Sequence, residues 1–324
     1  MNRPAAKVLV TGASGFVGLH LCARLAAAGC LVSAAVRREH ARLAAAPGVR
    51  VVRVGDLGPD ADLRAALDGV DTVVHLAARA HVMWDRAADP LAEYRRINVT
   101  GSECLARAAA AAGVRRLIYV SSVKVNGETT FGVPFRESDA PAPLDAYGRS
   151  KWEAEQSLGR IATETGLMLT VLRPPLIYGP GVKGNIARLL RWIERGLPLP
   201  LASIANRRSL IYVQNLIDAM LAVMRHPSPG RTYLVCDGTD MSTPQVVRAL
   251  ARGLNRPPRL LPFPPALLRI AGACTGQRVA VEHMLDSLQI DAAKITAELG
   301  WRPAHDPEQG LIATARAYGA RSGL

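Results

Sequence analysis

Short apolar runs alternate with amphipathic stretches through the first half of the chain. Lys7–Thr11, Leu31–Val36, Arg50–Val54, Thr72–Leu76, Leu117–Ser121 and Met168–Leu172 are strand-length runs dominated by apolar residues, the pattern expected where both faces of a sheet are covered. The segments between them carry helical spacing. Val17, Leu21 and Leu25 share one face of Val17–Ala28, and Gly29 is placed to cap it. Glu103–Ala112 and Tyr147–Glu164 are patterned in the same way. Strand and helix in alternation predict a parallel sheet with right-handed crossovers.

The pattern changes after residue 176, where Pro, Gly and Leu become frequent in GPGVKGN, GLPLPL and PPRLLPFPP. Asn185–Arg195 and Leu216–Arg225 read as helices without regular strand partners, and Thr232–Cys236 reads as one more buried strand able to rejoin the sheet. A smaller, mixed C-terminal lobe is expected here.

Composition narrows the class. The 324 residues are 49% hydrophobic and 21% charged, which is enough material for a packed core. The formal net charge of +13 is spread as short pairs, Arg37–Arg38, Arg95–Arg96, Arg115–Arg116 and Arg207–Arg208. With no basic run and no zinc-finger spacing, this argues for an anionic small substrate or cofactor and against nucleic acid. The cysteines, Cys22, Cys30, Cys104, Cys236 and Cys274, are odd in number and lack C-x-x-C spacing, so neither a disulfide framework nor a metal site is expected. MNRPAAKVLVTG leads directly into the first strand without a secretory leader, and no stretch of about 20 apolar residues is present. A cytoplasmic protein with no membrane partner is expected.

Thr11-Gly12-Ala13-Ser14-Gly15-Phe16-Val17-Gly18 joins the first strand to the first helix. Gly12 permits the tight turn, Gly15 a close backbone approach to a pyrophosphate, and Gly18 close helix–sheet packing. The helix N-terminus then faces the anion with free N–H groups. The expected fold is therefore α/β: a Rossmann doubly wound parallel sheet over residues 1–176, rejoined by 207–237, with 177–324 mainly a substrate-binding lobe. The second strand ends Val36-Arg37-Arg38, with Val36 where an acid would bind ribose hydroxyls. Guanidinium groups suit a 2′-phosphate, which favours NADP over NAD. Asp56 is a candidate acceptor for the adenine amino group.

Tyr147 and Lys151 stand at i and i+4, on one face of a helix. An ammonium beside a phenol favours the phenolate, which predicts a lowered Tyr147 pKa and a proton donor–acceptor. Ser121-Ser122 ends a buried strand just upstream, and Asn98 is expected to open a helix at the same rim.

These motifs together resemble the extended short-chain dehydrogenase/reductase family, which includes nucleotide-sugar epimerases, dehydratases and reductases. TGASGFVG is similar to the family's cofactor loop, VVHLAA (Val73–Ala78) to the strand along which the cofactor lies, and NVTG (Asn98–Gly101) to its N-V-x-G. SSVKVNG (Ser121–Gly127), YGRSK, RPPLIYGPG (Arg173–Gly181) and RRSLIYV (Arg207–Val213) match further blocks. So do Asp291-Ala292-Ala293-Lys294 and Leu299-Gly300-Trp301 near the C-terminus. The resemblance implies Ser122, Tyr147 and Lys151 as the catalytic set. Implied cofactor contacts are Gly12, Ser14, Gly15, Phe16, Val17, Gly18, Arg37, Arg38, Asp56, Leu57, Leu76, Ala77, Ala78, Asn98, Tyr147, Lys151 and Pro174. Implied substrate contacts are Ser121, Ser122, Lys124, Asn126, Tyr147, Leu176, Asn185, Arg208 and Arg278. Arg208 matches the position that contacts a nucleotide diphosphate. No metal is implied.

Neighbouring residues bear on the reaction. Sugar 4,6-dehydratases of the family carry Asp–Glu after the catalytic hydroxyl, where this chain has Val123 and Lys124, which speaks against dehydration. The Arg37–Arg38 ending tilts toward a reductase of a 4-keto nucleotide sugar, with UDP-hexose 4-epimerase as the alternative. Asn126 stands where the family often has Tyr, and Leu176 where it often has a sugar-facing Asn. A deoxy or N-acetylated UDP-sugar suits that more apolar wall. A non-catalytic dinucleotide sensor is the alternative of another class, and retention of all three catalytic residues opposes it. The resemblance also implies a homodimer and a place in polysaccharide biosynthesis.

Overall fold

The computed structural model describes residues 5–80, 89–226, 230–276 and 278–322. In chain order the first part runs β1 (Lys7–Thr11), α1 (Phe16–Ala27), β2 (Leu31–Val36), α2 (Ala41–Ala44), β3 (Val49–Arg53), α3 (Arg64–Leu67) and β4 (Thr72–His75). It continues with α4 (Pro90–Arg95), α5 (Gly101–Ala111), β5 (Arg116–Val120), α6 (Ala146–Thr165) and β6 (Met168–Arg173). Next come β7 (Leu176–Tyr178), α7 (Gly184–Glu194), β8 (Leu210–Tyr212), α8 (Val213–Arg225), β9 (Thr232–Leu234), α9 (Thr243–Gly253), α10 (Pro265–Cys274) and α11 (Arg278–Leu285). The last helices are α12 (Ala293–Leu299) and α13 (Pro307–Ser322).

Seven strands form one sheet in the order β3-β2-β1-β4-β5-β6-β9. The pairs from β3 through β6 are parallel and in continuous register. The order reverses between β1 and β4, and such a switch point opens a crevice at the carboxyl ends of the strands. The apolar runs explain the layering. Central β4 is buried throughout, whereas edge strand β3 exposes Arg50 and Arg53. Helices cover the sheet through a core that includes Leu9, Val73, Leu105, Leu117, Leu158 and Ile161.

Two compact units divide the chain. The first holds residues up to Asn126, then Ala140–Arg173 and Met220–Tyr233. The second holds Gly127–Asp139, Pro174–Ala219 and Leu234 onward. The second unit contains the parallel pair β7–β8 and a buried carboxylate, Asp237. Tyr178 Oη donates to Asp237 Oδ2 at 2.7 Å, and Tyr212 N and Asn215 Nδ2 donate to Oδ1 at 2.9 and 2.7 Å. Burial pushes the Asp237 pKa up, the charge of Asp306 adds to this, and these donors pull against it. Among the described residues no helix is long and apolar enough to cross a membrane, and no group of three or more His, Cys, Asp or Glu is placed to hold a metal ion.

One local expectation is corrected. Asn98 does not open a helix. It lies in a π-type turn, Arg96–Thr100, that links α4 to α5 without a break. Such one-residue insertions bulge the helix wall and reorient a side chain.

Candidate active site

Gly12 follows β1 with φ of 66°, and a Cβ there would lie 2.7 Å from Ala77 N, just beyond β4. A Cβ on Gly18 would lie 2.3 Å from Gly12 O. Both positions therefore require glycine for close backbone approach. Gly15 differs, since its Cβ would meet only Gly12 O, at 3.1 Å, and its remaining surroundings are open. Gly15 is also the N-cap of α1 and gives the helix no side-chain cap. The first turn thus presents backbone N–H groups beside a bare loop, the arrangement that accepts a phosphate. The Oγ of Ser121, just beyond β5, is buried with no hydrogen-bond partner among the described residues. A cradle of glycines and an orphaned buried hydroxyl fit a bound dinucleotide.

Behind the loop, Thr11 and His75 link β1 to β4. The Ser102 hydroxyl donates its one proton to Asn98 O at 2.6 Å. Its 2.8 Å contact with His75 Nε2 therefore requires the proton on that nitrogen. His75 Nδ1 then accepts from Thr11 Oγ1 at 2.6 Å, while that oxygen accepts from Ala77 N at 3.3 Å. Burial, followed by the charge of Lys151, lowers the His75 pKa to about 3, so the ring is a neutral strut. At the end of β2, Val36 is buried while Arg37 and Arg38 are exposed. Arg37 meets Asp56 at 3.3 Å, an exposed pair worth little by itself. Leu57 packs where α5 begins: a Cβ on Gly101 would lie 3.0 Å from its carbonyl oxygen.

Helix α6 carries the tyrosine and lysine because Asp145 starts it there. One carboxylate oxygen of Asp145 accepts from Gly148 N at 2.6 Å, and the other pairs with Lys124 Nζ at 2.6 Å. Tyr147 follows in the first turn, with its ring edge toward Tyr94 at 6.2 Å between centroids. Ser122 caps the short 3-10 turn Val123–Val125, accepting from Lys124 N at 3.2 Å, and its hydroxyl lies close enough to Tyr147 to favour the phenolate. Lys151, one turn beyond Tyr147, is 2% exposed. Its Nζ donates to Val120 O at 2.7 Å and stands 4.0 Å from the centroid of the Tyr119 ring. The first unit thus brings Ser122, Tyr147 and Lys151 together at the carboxyl end of β5.

The charge state departs from expectation. Desolvation pushes the Tyr147 pKa well up, Asp145 and Tyr94 add to this, and the nearby Ser122 hydroxyl opposes it. Burial also lowers Lys151 to about 7, against the charge of Glu155. The lowered phenol expected from the i, i+4 spacing is therefore not found. Desolvation with the Asp145 and Tyr94 charges outweighs the Ser122 interaction, and burial leaves the lysine only partly protonated at neutral pH.

Asn98 is used inside the protein. Its Oδ1 accepts from Arg79 N at 2.7 Å, and its Nδ2 donates to Arg79 O at 3.1 Å and Ser150 Oγ at 2.9 Å. Both amide hydrogens are taken, so Asn98 holds the chain after β4 against α6. Asn126, expected at the substrate, is instead buried and accepts from Arg173 Nη1 at 3.0 Å. Arg173 also grips Glu155 of α6, with a shortest contact of 2.6 Å. A buried guanidinium needs acceptors on all its edges, and Asn126 supplies one.

Pro174, Leu176, Asn185, Arg208 and Arg278 belong to the second unit. Leu176 opens β7. Asn185, in the first turn of α7, accepts from Arg188 at 3.1 Å. Arg208 donates to Asp286 O at 2.9 Å, and burial lowers its pKa against the charges of Asp286 and Glu128. Arg278 pairs with Glu282 of its own helix at 2.7 Å, so it is committed along α11. Sequence reasoning missed the His75 strut, the Asp145 cap and the Glu155–Arg173 pair. Of these, Asp145 had a readable signal: an acid directly before a helical run is a common N-cap.

The model of the NAD dependent epimerase/dehydratase family matches residues 8–236. The chain is 40% identical to a UDP-glucose 4-epimerase of Vibrio cholerae over 315 residues, 96% of this chain and 95% of the relative. It is 29% identical to an N-acetyl-alpha-D-glucosaminyl-diphospho-ditrans,octacis-undecaprenol 4-epimerase of Escherichia coli O157:H7, over 95% of this chain and 93% of that one. Among solved structures, MoeE5 in complex with UDP-glucose and NAD superposes with a TM-score of 0.79 at 28% identity, covering 98% of this chain and 100% of that one.

Proposed function

The chain belongs to the NAD dependent epimerase/dehydratase family, and we propose that within it the protein reduces a 4-keto UDP-hexose bearing a deoxy or N-acetyl position, with NADPH as reductant. Membership makes it an NAD(P)-dependent enzyme of the extended short-chain dehydrogenase/reductase type. The observation that carries the finer assignment is the end of β2, where a buried Val36 is followed by two exposed arginines. Val36 offers no carboxylate to ribose hydroxyls, and a guanidinium pair suits a 2′-phosphate. A cofactor of that kind is drawn from the pool as a reductant. Leu176 supports a less hydroxylated sugar, because it offers no amide there. Dehydration lacks its acid–base couple: Val123 is buried and apolar, and Lys124 is paired to Asp145.

The glycine loop and the α1 N-terminus are the place for the pyrophosphate, and Ser121 has a free hydroxyl for a ligand. When bound, the dinucleotide supplies a hydride to C4 of the sugar. Tyr147 gives its phenolic proton to the oxygen on that carbon as the carbonyl becomes an alcohol. Ser122 Oγ, beside Tyr147, orients the same oxygen. Lys151, on the same face of α6, favours the phenolate that remains. A positioned acid of this kind contributes roughly 10² to 10⁴ in rate. In the second unit, Arg208 is the candidate for the UDP diphosphate, as a partly desolvated guanidinium. We assign the reaction to the cytoplasm and to a homodimer, which light scattering of the purified protein tests.

The identity with the Vibrio cholerae protein favours a second reading, a UDP-hexose 4-epimerase that keeps its NAD through each turnover. Mass spectrometry of the purified protein, joined to two assays, separates them. A reductase arrives without retained NAD, oxidises NADPH when given a UDP-4-keto-6-deoxy-N-acetylhexosamine, and leaves UDP-glucose unchanged. Retained NAD, with interconversion of UDP-glucose and UDP-galactose and no added cofactor, overturns the reductase assignment.

A further inference from the structure

The second unit exposes an apolar surface that its own fold does not cover. Phe131 is 92% exposed and Val133 72%, at the two sides of Gly132. Leu267 and Ile270 of α10 are 48% and 59% exposed, and Leu261 in the preceding loop is 50% exposed. Phe131, Pro265 and Arg269 line one shallow groove, so the Phe131 loop lies beside the start of α10.

Helix α10 has its polarity reversed for a surface helix. Ala266, Leu267, Ile270, Ala271, Ala273 and Cys274 are all exposed, and Gly272 is the one residue that is buried. Gly272 explains the docking on α11, since a Cβ there would meet Val281 Cγ2 at 2.8 Å. Leu267, Ile270, Ala271 and Cys274 follow helical spacing and so form a single stripe facing outward. An amphipathic surface helix ordinarily turns that stripe inward. Here the inward contact is a small-residue seam, and the apolar stripe is left outside.

Charge says what covers it. From Leu254 to Val281 the sequence carries four arginines, Arg256, Arg259, Arg269 and Arg278, and no Asp or Glu. Arg269 and Arg278 reach acids beyond that segment, Asp286 and Glu282. Arg256 and Arg259 have no ion pair among the described residues, and the chain as a whole is at +13. An apolar stripe flanked by arginines on a strongly basic protein matches a negatively charged bilayer, with the side chains entering the acyl boundary and the guanidinium groups at the headgroups.

We propose that the outward face of helix α10, with Leu261 in the loop before it, docks the protein on the surface of an anionic membrane. The sequence led us to expect no membrane partner, because nothing in it spans a bilayer. Interfacial docking needs no spanning segment. This inference does not depend on which sugar the active site takes.

The test is co-sedimentation of the full chain with vesicles of phosphatidylethanolamine containing about one-third phosphatidylglycerol, against vesicles of phosphatidylcholine alone. The wild type is expected to sediment with the anionic vesicles and not with the neutral ones. Binding should fall at least about tenfold as NaCl rises from roughly 0.05 to 0.5 M. Leu267→Ser with Ile270→Ser, and separately Leu261→Ser, should each lower the partition coefficient at least about tenfold. Their thermal unfolding should match the wild type, because these side chains are already exposed. Three results overturn the proposal: a wild type that stays in the supernatant with both lipids, variants that keep their melting temperature and bind as tightly as the wild type, or a dimer that the Leu267–Ile270 double variant splits while no form binds vesicles. The last would mean that a second copy covers the face.

Discussion

Lys151 joins the chemistry of the site to a stability effect that can be measured. Its amine is almost fully buried, and its pKa falls from 10.5 to about 7. Between those two values the unfolded chain binds more protons than the folded one, so stability rises with pH through that window. The penalty is fullest below about pH 7, declines by about 1.4 kcal/mol per pH unit and is gone above about pH 10.5. From about pH 7 to about pH 9 the wild type should gain on the order of 2 kcal/mol from this one group. Lys151→Met removes the titration and leaves the rest of the protein's pH dependence in place. Loss of the bond to Val120 O and of the contact over the Tyr119 ring shifts the variant's stability by the same amount at every pH. The measurement is urea unfolding of both proteins, stripped of nucleotide, at the two pH values. The stability difference, variant minus wild type, should shrink by about 2 kcal/mol as pH rises. Parallel profiles would show that the folded lysine titrates as an ordinary surface amine, and would remove the explanation given for its partial protonation.

Four further outcomes follow from the same geometry. Gly18→Ala places a methyl group against Gly12 O and Ala13, which are backbone and cannot yield; unfolding free energy should drop by about 1–3 kcal/mol, and dinucleotide affinity, read by calorimetry, should fall with it. Glu155→Gln breaks the buried pair with Arg173 and should cost about 3–5 kcal/mol in urea unfolding, much of it recovered when Arg173→Met is added. His75, lowered from 6.5 to about 3, should show a neutral ring with its proton on Nε2 in NMR spectra down to about pH 4; because its folded value is the lower one, stability should be lost as pH falls from about 6.5 toward 3. Tyr147→Phe should lower turnover roughly 10² to 10⁴-fold with little change in the melting temperature, and unchanged turnover would remove Tyr147 from the proton-transfer role.

The parts legible in the sequence are those set by short-range pattern. Apolar runs mark strands because both sheet faces are covered, and the edge strand β3 is detectable by its arginines. The glycine loop is legible because Gly12 and Gly18 answer to contacts within the same strand–turn–helix unit. The parts that escaped depend on partners far along the chain. Asn126 looks like a substrate residue by motif, yet its partner Arg173 arrives from the end of β6. The π-type turn at Asn98 leaves no mark in the hydrophobic pattern, because one inserted residue shifts the register by less than the pattern resolves. In the C-terminal part, α9 was readable and went unread: Ser242 and Gln245 form a capping box, with Pro244 in the first turn. Burial of Lys151 and desolvation of the half-buried Tyr147 belong to neither pattern, and the i, i+4 spacing therefore gave the right face and the wrong charge state.

Placement and protonation meet in one hydrogen-bonded path. Thr11, the last residue before the glycine loop, bonds His75; His75 bonds Ser102; Ser102 bonds Asn98 O; Asn98 bonds Ser150; and Ser150 bonds Tyr147 O. The path runs from the proposed cofactor loop to the residue proposed to move the proton, through β4, the π-type turn and the start of α6. It requires a neutral His75, because a ring protonated on both nitrogens would present a second donor to Thr11 in place of an acceptor. Burial supplies that neutrality, and the charge of Lys151 reinforces it. The insertion at Asn98 supplies the geometry: Ser102, in the next turn, donates to its backbone carbonyl while its side-chain amide donates to Ser150. A buried histidine in an apolar strand and an irregular turn in an alanine-rich helix are thus two halves of one device. It fixes the distance between the dinucleotide cradle and the tyrosine without placing a charge between them.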